Sequence, residues 1–298
     1  MLYLLGIFII ILALILIKEN VRKSESLSNI DRRLRIHYNI LQEKGYEVVC
    51  LCLQGSQNYG LDEYSNDYQS DVDTKAIVLP HFRDFVMDKE PESTTIILDN
   101  NEHIDVKDIR VMFEMFKKQN ISYLELLFTK YKIINPKYKK LIKPLFEANE
   151  QIAAANKVAF VKCIAGMAME KKKALCHPYP TLIEKIEKYG FDGKQLSHCA
   201  RLTELLDKWM MNLPMDTCFM SDDRRTLMNY KKQLVADGSR VMMQEEAIKL
   251  CDMYCRIIQD MKEQVIEVYG AEGIDEGAFE LLNKIKYDIL KKKFKEEI

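Results

Sequence analysis

The sequence predicts an α+β protein in which a small mixed α/β unit precedes a larger helical one. Three observations carry this. Short β-prone runs and turn signals fill the stretch from about Tyr46 to Val106. Helix-period apolar patterns follow almost without a break from Asp108, and the chain opens on an apolar run that belongs to neither pattern. With 48% hydrophobic and 30% charged residues, 11 Gly and 7 Pro, the 298-residue chain is globular in composition, which excludes disordered and collagen-like classes. Its formal charge of −1 means that any surface for nucleic acid or acidic lipid has to be a local patch.

The opening run, Met1 to Ile17, has no charged side chain and is followed by Lys18, Arg22 and Lys23. About 17 residues is the short end of what spans a bilayer. A cleavable signal would carry basic residues before the run and small residues at its end, and both are missing. The positive charge behind it favours a cytoplasmic body. The expectation is a membrane anchor over residues 1–20, with a misassigned translation start as the competing reading. An α/β domain over 25–130 and a helical domain over 131–298 follow.

Within the α/β part, Ser26 to Glu43 reads as an amphipathic helix through Ile30, Leu34, Ile36, Ile40 and Leu41. Tyr46 to Leu53 is a compact strand ended by Gln54-Gly55-Ser56. A polar loop, Asp62 to Ser70, leads to a second strand, Asp71 to Leu79, which Pro80 stops. Thr94 to Leu98 and His103 to Val106 are two more strands around the turn signal Asp99 to Asn101.

Helical patterns then run over Ile109–Lys118, Tyr123–Phe128, Pro144–Glu170, Gln195–Trp209, Asp222–Leu234, Met243–Tyr269 and Ala278–Lys293. The 8 Cys include no CxxC pair, and His is scarce, so a structural zinc site is not expected. Cys50 and Cys52 share a strand face and Cys251 and Cys255 lie four apart on a helix, as buried reduced thiols would.

Asp71 and Asp73 are two apart in an extended run, which puts both carboxylates on one face. Left bare they repel. A divalent cation between them removes the repulsion, and hard oxygen donors suit Mg²⁺. Asp105, in another apolar strand, supplies a third carboxylate, and three on adjacent strands can hold the two metals of an in-line phosphoryl displacement. Gly55-Ser56 ends the first strand, where glycine allows close backbone approach and the N–H groups of a turn can hold a triphosphate. Each part alone is commonplace: most Gly-Ser pairs are plain turns, and most isolated Asp-x-Asp pairs are solvated. Their occurrence together in this order is what points to nucleotidyl transfer.

The run Gly55-Ser-Gln-Asn-Tyr-Gly-Leu61, followed by Ser70-Asp-Val-Asp73, resembles the core motif of nucleotidyltransferases of the DNA polymerase-β superfamily. More narrowly it resembles the RNA-repair-pathway branch, the RlaP/YcgL-type proteins. His103 to Ile109 with Asn120 to Leu127 is similar to that branch's third-carboxylate strand and following helix, and Tyr189 to Leu202 to its downstream basic helix. The resemblance covers roughly residues 47–210. It departs at Ile121, where the family has Pro, and at Thr74-Lys75, where Tyr-Arg is usual.

The resemblance implies a polymerase-β-like palm with a helical C-terminal domain. It implies transfer of NMP from an NTP with Mg²⁺ (or Mn²⁺ in its place), metal ligation by Asp71, Asp73 and Asp105, and RNA as the acceptor. A protein side chain or tRNA as acceptor, or a catalytically silent nucleotide- or RNA-binding module, are the alternatives. Lys194, His198 and Arg201, spaced four and three apart, share a helical face and are expected with Gly55 and Ser56 to bind the nucleotide. Taken without the resemblance, the same row is an ordinary solvated basic face. Basic clusters at Lys130 to Lys143, Lys171 to Lys173 and Lys291 to Lys295, with Tyr131, Tyr138 and Phe294 interleaved, could stack bases or simply be solvated.

Overall fold

The protein builds one five-stranded sheet, helix-covered on both faces, and joins it to a helical body through a shared core. The computed structural model describes residues 29–63 and 70–298. The expected anchor lies outside the described residues; among those described, no helix is long and apolar enough to cross a membrane.

A helix over 29–43 (α1) leads into β1 (Glu47–Gln54), a 3-10 turn (Ser56–Tyr59) and β2 (Asp73–Leu79). After a short helix α2 (Phe82–Val86) come β3 (Ser93–Ile97), β4 (His103–Asp108), α3 (Ile109–Lys117), α4 (Ile121–Phe128) and β5 (Lys132–Ile134). The strand order is β3-β4-β2-β1-β5. β2 and β4 run parallel, and the other three pairings are antiparallel.

The central strands are buried on both faces, which explains why β1 reads as an unbroken apolar run rather than an alternating one. On one face Val48, Leu51, Ala76, Val78, Ile104 and Val106 pack against Leu41 of α1. Each such fully buried aliphatic chain contributes about 1.5–3 kcal/mol, so a charge at Leu41 would undo that face. On the other, Cys52, Ile77 and Leu79 join a core that continues through α3 and α4 into the helical body.

That body comprises α5 (Lys139–Glu147), α6 (Asn149–Ala153), α7 (Lys157–Ala174), α8 (Ile183–Tyr189), α9 (Gly193–Met210), α10 (Met215–Phe219), α11 (Arg224–Lys231), α12 (Gln244–Tyr269) and α13 (Glu276–Lys295). Two expectations need correction. The single helix expected over Pro144–Glu170 is three, because the Asn156 side chain accepts the Ala159 N–H at 2.9 Å and starts a new helix there. The sheet also runs past the expected boundary at residue 130, because β5 pairs with β1.

The last helix returns to the sheet. Lys293 is ion-paired with Glu47 at the start of β1 and with Glu297 at 2.6 Å. Phe294 packs on Phe82 and Phe85 at 5.3 and 5.2 Å between ring centroids.

Candidate active site

The pairing register assembles the expected residues at one end of the sheet. Gln54, the last residue of β1, faces Asp73, the first of β2, and Lys75 of β2 faces Asp105 of β4. Directly paired residues, and residues two apart on a strand, share a face. Gln54, Asp73, Lys75 and Asp105 therefore point the same way, toward α4. Asp71 is a correction: β2 begins at Asp73, so Asp71 sits in the segment leading into the strand, and pleat alternation is not what places it.

Gly55 makes the turn between β1 and the 3-10 segment. Its φ of 88° and ψ of −151° lie in a region that only glycine occupies readily, while the space beyond its Cα is open. Glycine is needed here for its backbone, not for room. The turn is fixed from three sides. Gly55 N–H donates to Glu125 of α4 at 3.3 Å, Asn58 donates to the Leu53 carbonyl at 2.8 Å, and Gln57 donates to the Asp71 carbonyl at 3.0 Å. The last bond ties the turn to the carboxylate segment.

That segment has its own support. Glu102, buried, accepts the Val72 N–H at 3.3 Å, a His37 Nε2 bond at 2.9 Å and an Arg33 Nε bond at 2.7 Å. Burial works against its charge, but His37 and Arg33 outweigh that and bring its carboxyl to about 2. Asp73 accepts from the His103 N–H at 2.8 Å and from His103 Nδ1 at 3.1 Å.

The carboxylates differ in the company they keep. Asp71 is raised above its ordinary range by partial withdrawal from water, then by the negative charge of Asp73 and Glu102; Lys194 and His103 oppose the rise. Asp105 is instead engaged by protein groups: the Thr95 hydroxyl donates at 2.5 Å, the Gln54 amide at 3.2 Å, and the Lys75 ammonium lies 3.7 Å away. Burial is outweighed by Thr95 and Lys75, and Asp105 falls below the usual carboxylate range. As a trio the carboxylates do not gather to within 4.8 Å of one another.

Lys75 itself is 4% exposed, donates to the Ser122 carbonyl at 3.2 Å and lies 3.9 Å from the Tyr123 ring centre. Burial brings its ammonium down to about 8, with Asp105 resisting.

The row on α9 divides. Lys194 is exposed and near enough to Asp71 to lower its carboxyl. His198 is pushed well below its ordinary value by burial and then by Arg201 and Lys194. Arg201, expected to bind the nucleotide, is buried: its guanidinium lies 3.8 Å from the Tyr59 ring centre, and Nε and Nη1 have no hydrogen-bond partner among the described residues. A helical face fixes direction around the axis, and the turn from residue 194 to 201 carries the row from solvent into the core. Tyr59 donates from its hydroxyl to Glu125, so Arg201, Tyr59, Glu125 and the Gly55 N–H form one buried chain behind the turn. Burial raises Glu125 to about 8 against the pull of Arg201 and the Gly55 N–H.

Sequence reasoning missed Lys75, Glu125, Glu102, His103 and Lys231. Lys231, at the end of α11, is lowered by burial and by Lys194, and Glu63 and Asp71 draw it the other way. For two of these a signal was present. Lys75 stands two residues after Asp73 and so on its face, and Glu125 is a lone carboxylate in the apolar run of α4.

No family model and no curated protein matches this chain. Among solved structures, it is similar to a nucleotidyltransferase-like protein from Exiguobacterium sibiricum 255-15. The TM-score is 0.29 at 9% identity, over 77% of this chain and 74% of that one. A likeness this slight says nothing about activity.

Proposed function

We propose that the chain is a Mg²⁺-dependent nucleotidyltransferase that moves an NMP unit from an NTP to an acceptor, with an RNA end as the acceptor. The observation that supports this is the register that brings Gln54-Gly55, Asp73 and Asp105 to one sheet end, with Asp71 just ahead of β2 and Lys194 and Lys231 within electrostatic reach of it. In this reading the turn's N–H groups and the Ser56 hydroxyl hold the triphosphate, and the two lysines balance its charge. Asp71 and Asp73 would hold Mg²⁺, with Asp105 beside them; the metal, when bound, neutralises charge on the transferring phosphoryl group. Asp105, kept ionised by Thr95 and Lys75, accepts the proton of the attacking hydroxyl. Glu102, His37 and Arg33 hold the Asp71–Asp73 segment still while the substrate binds. An apolar run over residues 1–17 would tether this body to a membrane.

The Lys75 contact to Asp105 favours a second reading, a nucleotide-binding module in which the ammonium has taken a metal's place. One experiment separates the two. The protein is incubated with each α-labelled NTP, Mg²⁺ and either RNA or total cell protein. Labelled RNA supports the proposal, labelled protein changes the acceptor, and NTP binding without transfer to either leaves the silent module. In the active case Asp73→Asn should lower turnover by at least about 100-fold with the fold intact.

A further inference from the structure

Away from the carboxylates, three thiols meet in the helical core. Cys199 of α9 and Cys251 of α12 lie 3.5 Å apart at Sγ, and Cys255 is one turn further along α12. All three sulfurs are within 4.8 Å of one another, and the residues are 0%, 0% and 3% exposed. None is in a disulfide. Cys218 shows how a solitary buried thiol is satisfied in this protein: it donates to the Leu213 carbonyl at 3.3 Å. In the trio, Cys199 and Cys255 share a single carbonyl, that of Ala168, and Cys251 turns to the Cys199 sulfur.

We infer that Cys199, Cys251 and Cys255 form a structural site for a thiophilic d¹⁰ cation, Zn²⁺ by class, closed by the Ala168 carbonyl of α7. Sulfurs held at about 2.3 Å from a tetrahedral zinc stand about 3.8 Å apart, inside the spread these thiols already occupy. The fourth position has an oxygen in place: the Ala168 carbonyl is 3.7 Å from the Cys199 sulfur and 3.5 Å from the Cys255 sulfur. An oxygen at about 2.1 Å from the same ion would stand about 3.6 Å from each sulfur.

Binding exchanges the S–H protons of the three thiols for the cation and releases them to solvent. The result pins α9 to α12 against α7, at the level of the helix that carries Lys194 and Arg201.

The test reads metal directly and needs no nucleotide, so it stands or falls apart from the proposed activity. Full-length protein is expressed in zinc-sufficient medium and purified without chelator. About one zinc per chain is expected, with X-ray absorption counting three sulfurs and one lighter donor. Growth with Cd²⁺ should place cadmium there, seen as thiolate charge-transfer absorption. Cys251→Ser should lose the ion, while Cys163→Ser and Cys176→Ser keep it. Should Cys251→Ser not fold, the sulfur count on the wild-type protein decides alone. Folded wild-type protein that carries neither zinc nor cadmium overturns the inference, as does bound zinc with fewer than three sulfurs.

Discussion

Replacing Glu125 by Gln should remove a specific pH dependence from the protein's stability. Glu125 is buried between Tyr59, the Gly55 N–H and Arg201, and burial raises its carboxyl from 4.5 to about 8. An acid raised on folding binds more protons in the native state than in the unfolded one. Stability is therefore highest below about 4.5 as far as this group is concerned, falls as the pH rises toward about 8, and is level above that. At about 1.4 kcal/mol per unit, the full span is roughly 4–5 kcal/mol. Glutamine is neutral throughout and keeps one oxygen to accept the Gly55 N–H, while its amide NH2 can donate to the Tyr59 hydroxyl oxygen in place of the second acceptor.

Urea unfolding of wild type and Glu125→Gln, measured from pH 5 to pH 9, isolates the effect, because every other titrating group is common to both. The variant should match the wild type near pH 5 and exceed it by a few kcal/mol at pH 9. Arg201 enters only above about pH 8, where the wild-type carboxylate becomes its counter-charge. A difference between the two proteins that stays constant across the range would refute the reasoning and return Glu125 to an ordinary carboxylate.

Gly55→Val should cost about 1–3 kcal/mol of stability, since valine cannot relax into a φ of 88°, and should raise the NTP KM; unchanged NTP affinity would move the phosphates elsewhere. Lys194→Ala should raise the NTP KM with little change in melting temperature, whereas Arg201→Ala should lower the melting temperature through the cavity left against the Tyr59 ring. If thermal melts rank the two variants the other way round, the division of α9 into a cleft end and a core end is wrong. Full-length protein should pellet with membranes and resist carbonate extraction while residues 25–298 stay in the supernatant; soluble full-length protein would favour the misassigned start.

The strands around the site were legible because their signals are local. Val48 to Leu53 is apolar throughout and is closed by Gln54-Gly55, and Asp105 interrupts an apolar run, so both positions could be read within a few residues. The alternation rule, applied to Asp71 and Asp73, overreached at Asp71, since where a strand begins depends on pairing with β1 at Gln54. β5 was invisible for a related reason: three residues, Lys132 to Ile134, hold no period, and only the neighbouring edge of β1 makes them a strand. Arg201 illustrates a different limit. Spacing of four and three locates side chains around a helix axis, but whether that face meets water depends on α4 and the Tyr59 turn, far away in the chain. Glu125 carried the opposite signal, a charge amid leucines, and its meaning required knowing that the Gly55 N–H lay opposite.

The ion pair between Lys293 and Glu47 joins groups 246 residues apart, and it bears on how the chain acquires its structure during synthesis. Loop-closure entropy disfavours such a contact until the intervening segments have already compacted. β1 can pair with β2 soon after both leave the ribosome, yet the edge beside Glu47 and the aromatic ledge of Phe82 and Phe85 wait for residues 276–298. For most of translation the nascent sheet presents those groups uncovered, which is the interval in which a chaperone would bind and in which a chain stalled before α13 would be prone to aggregate.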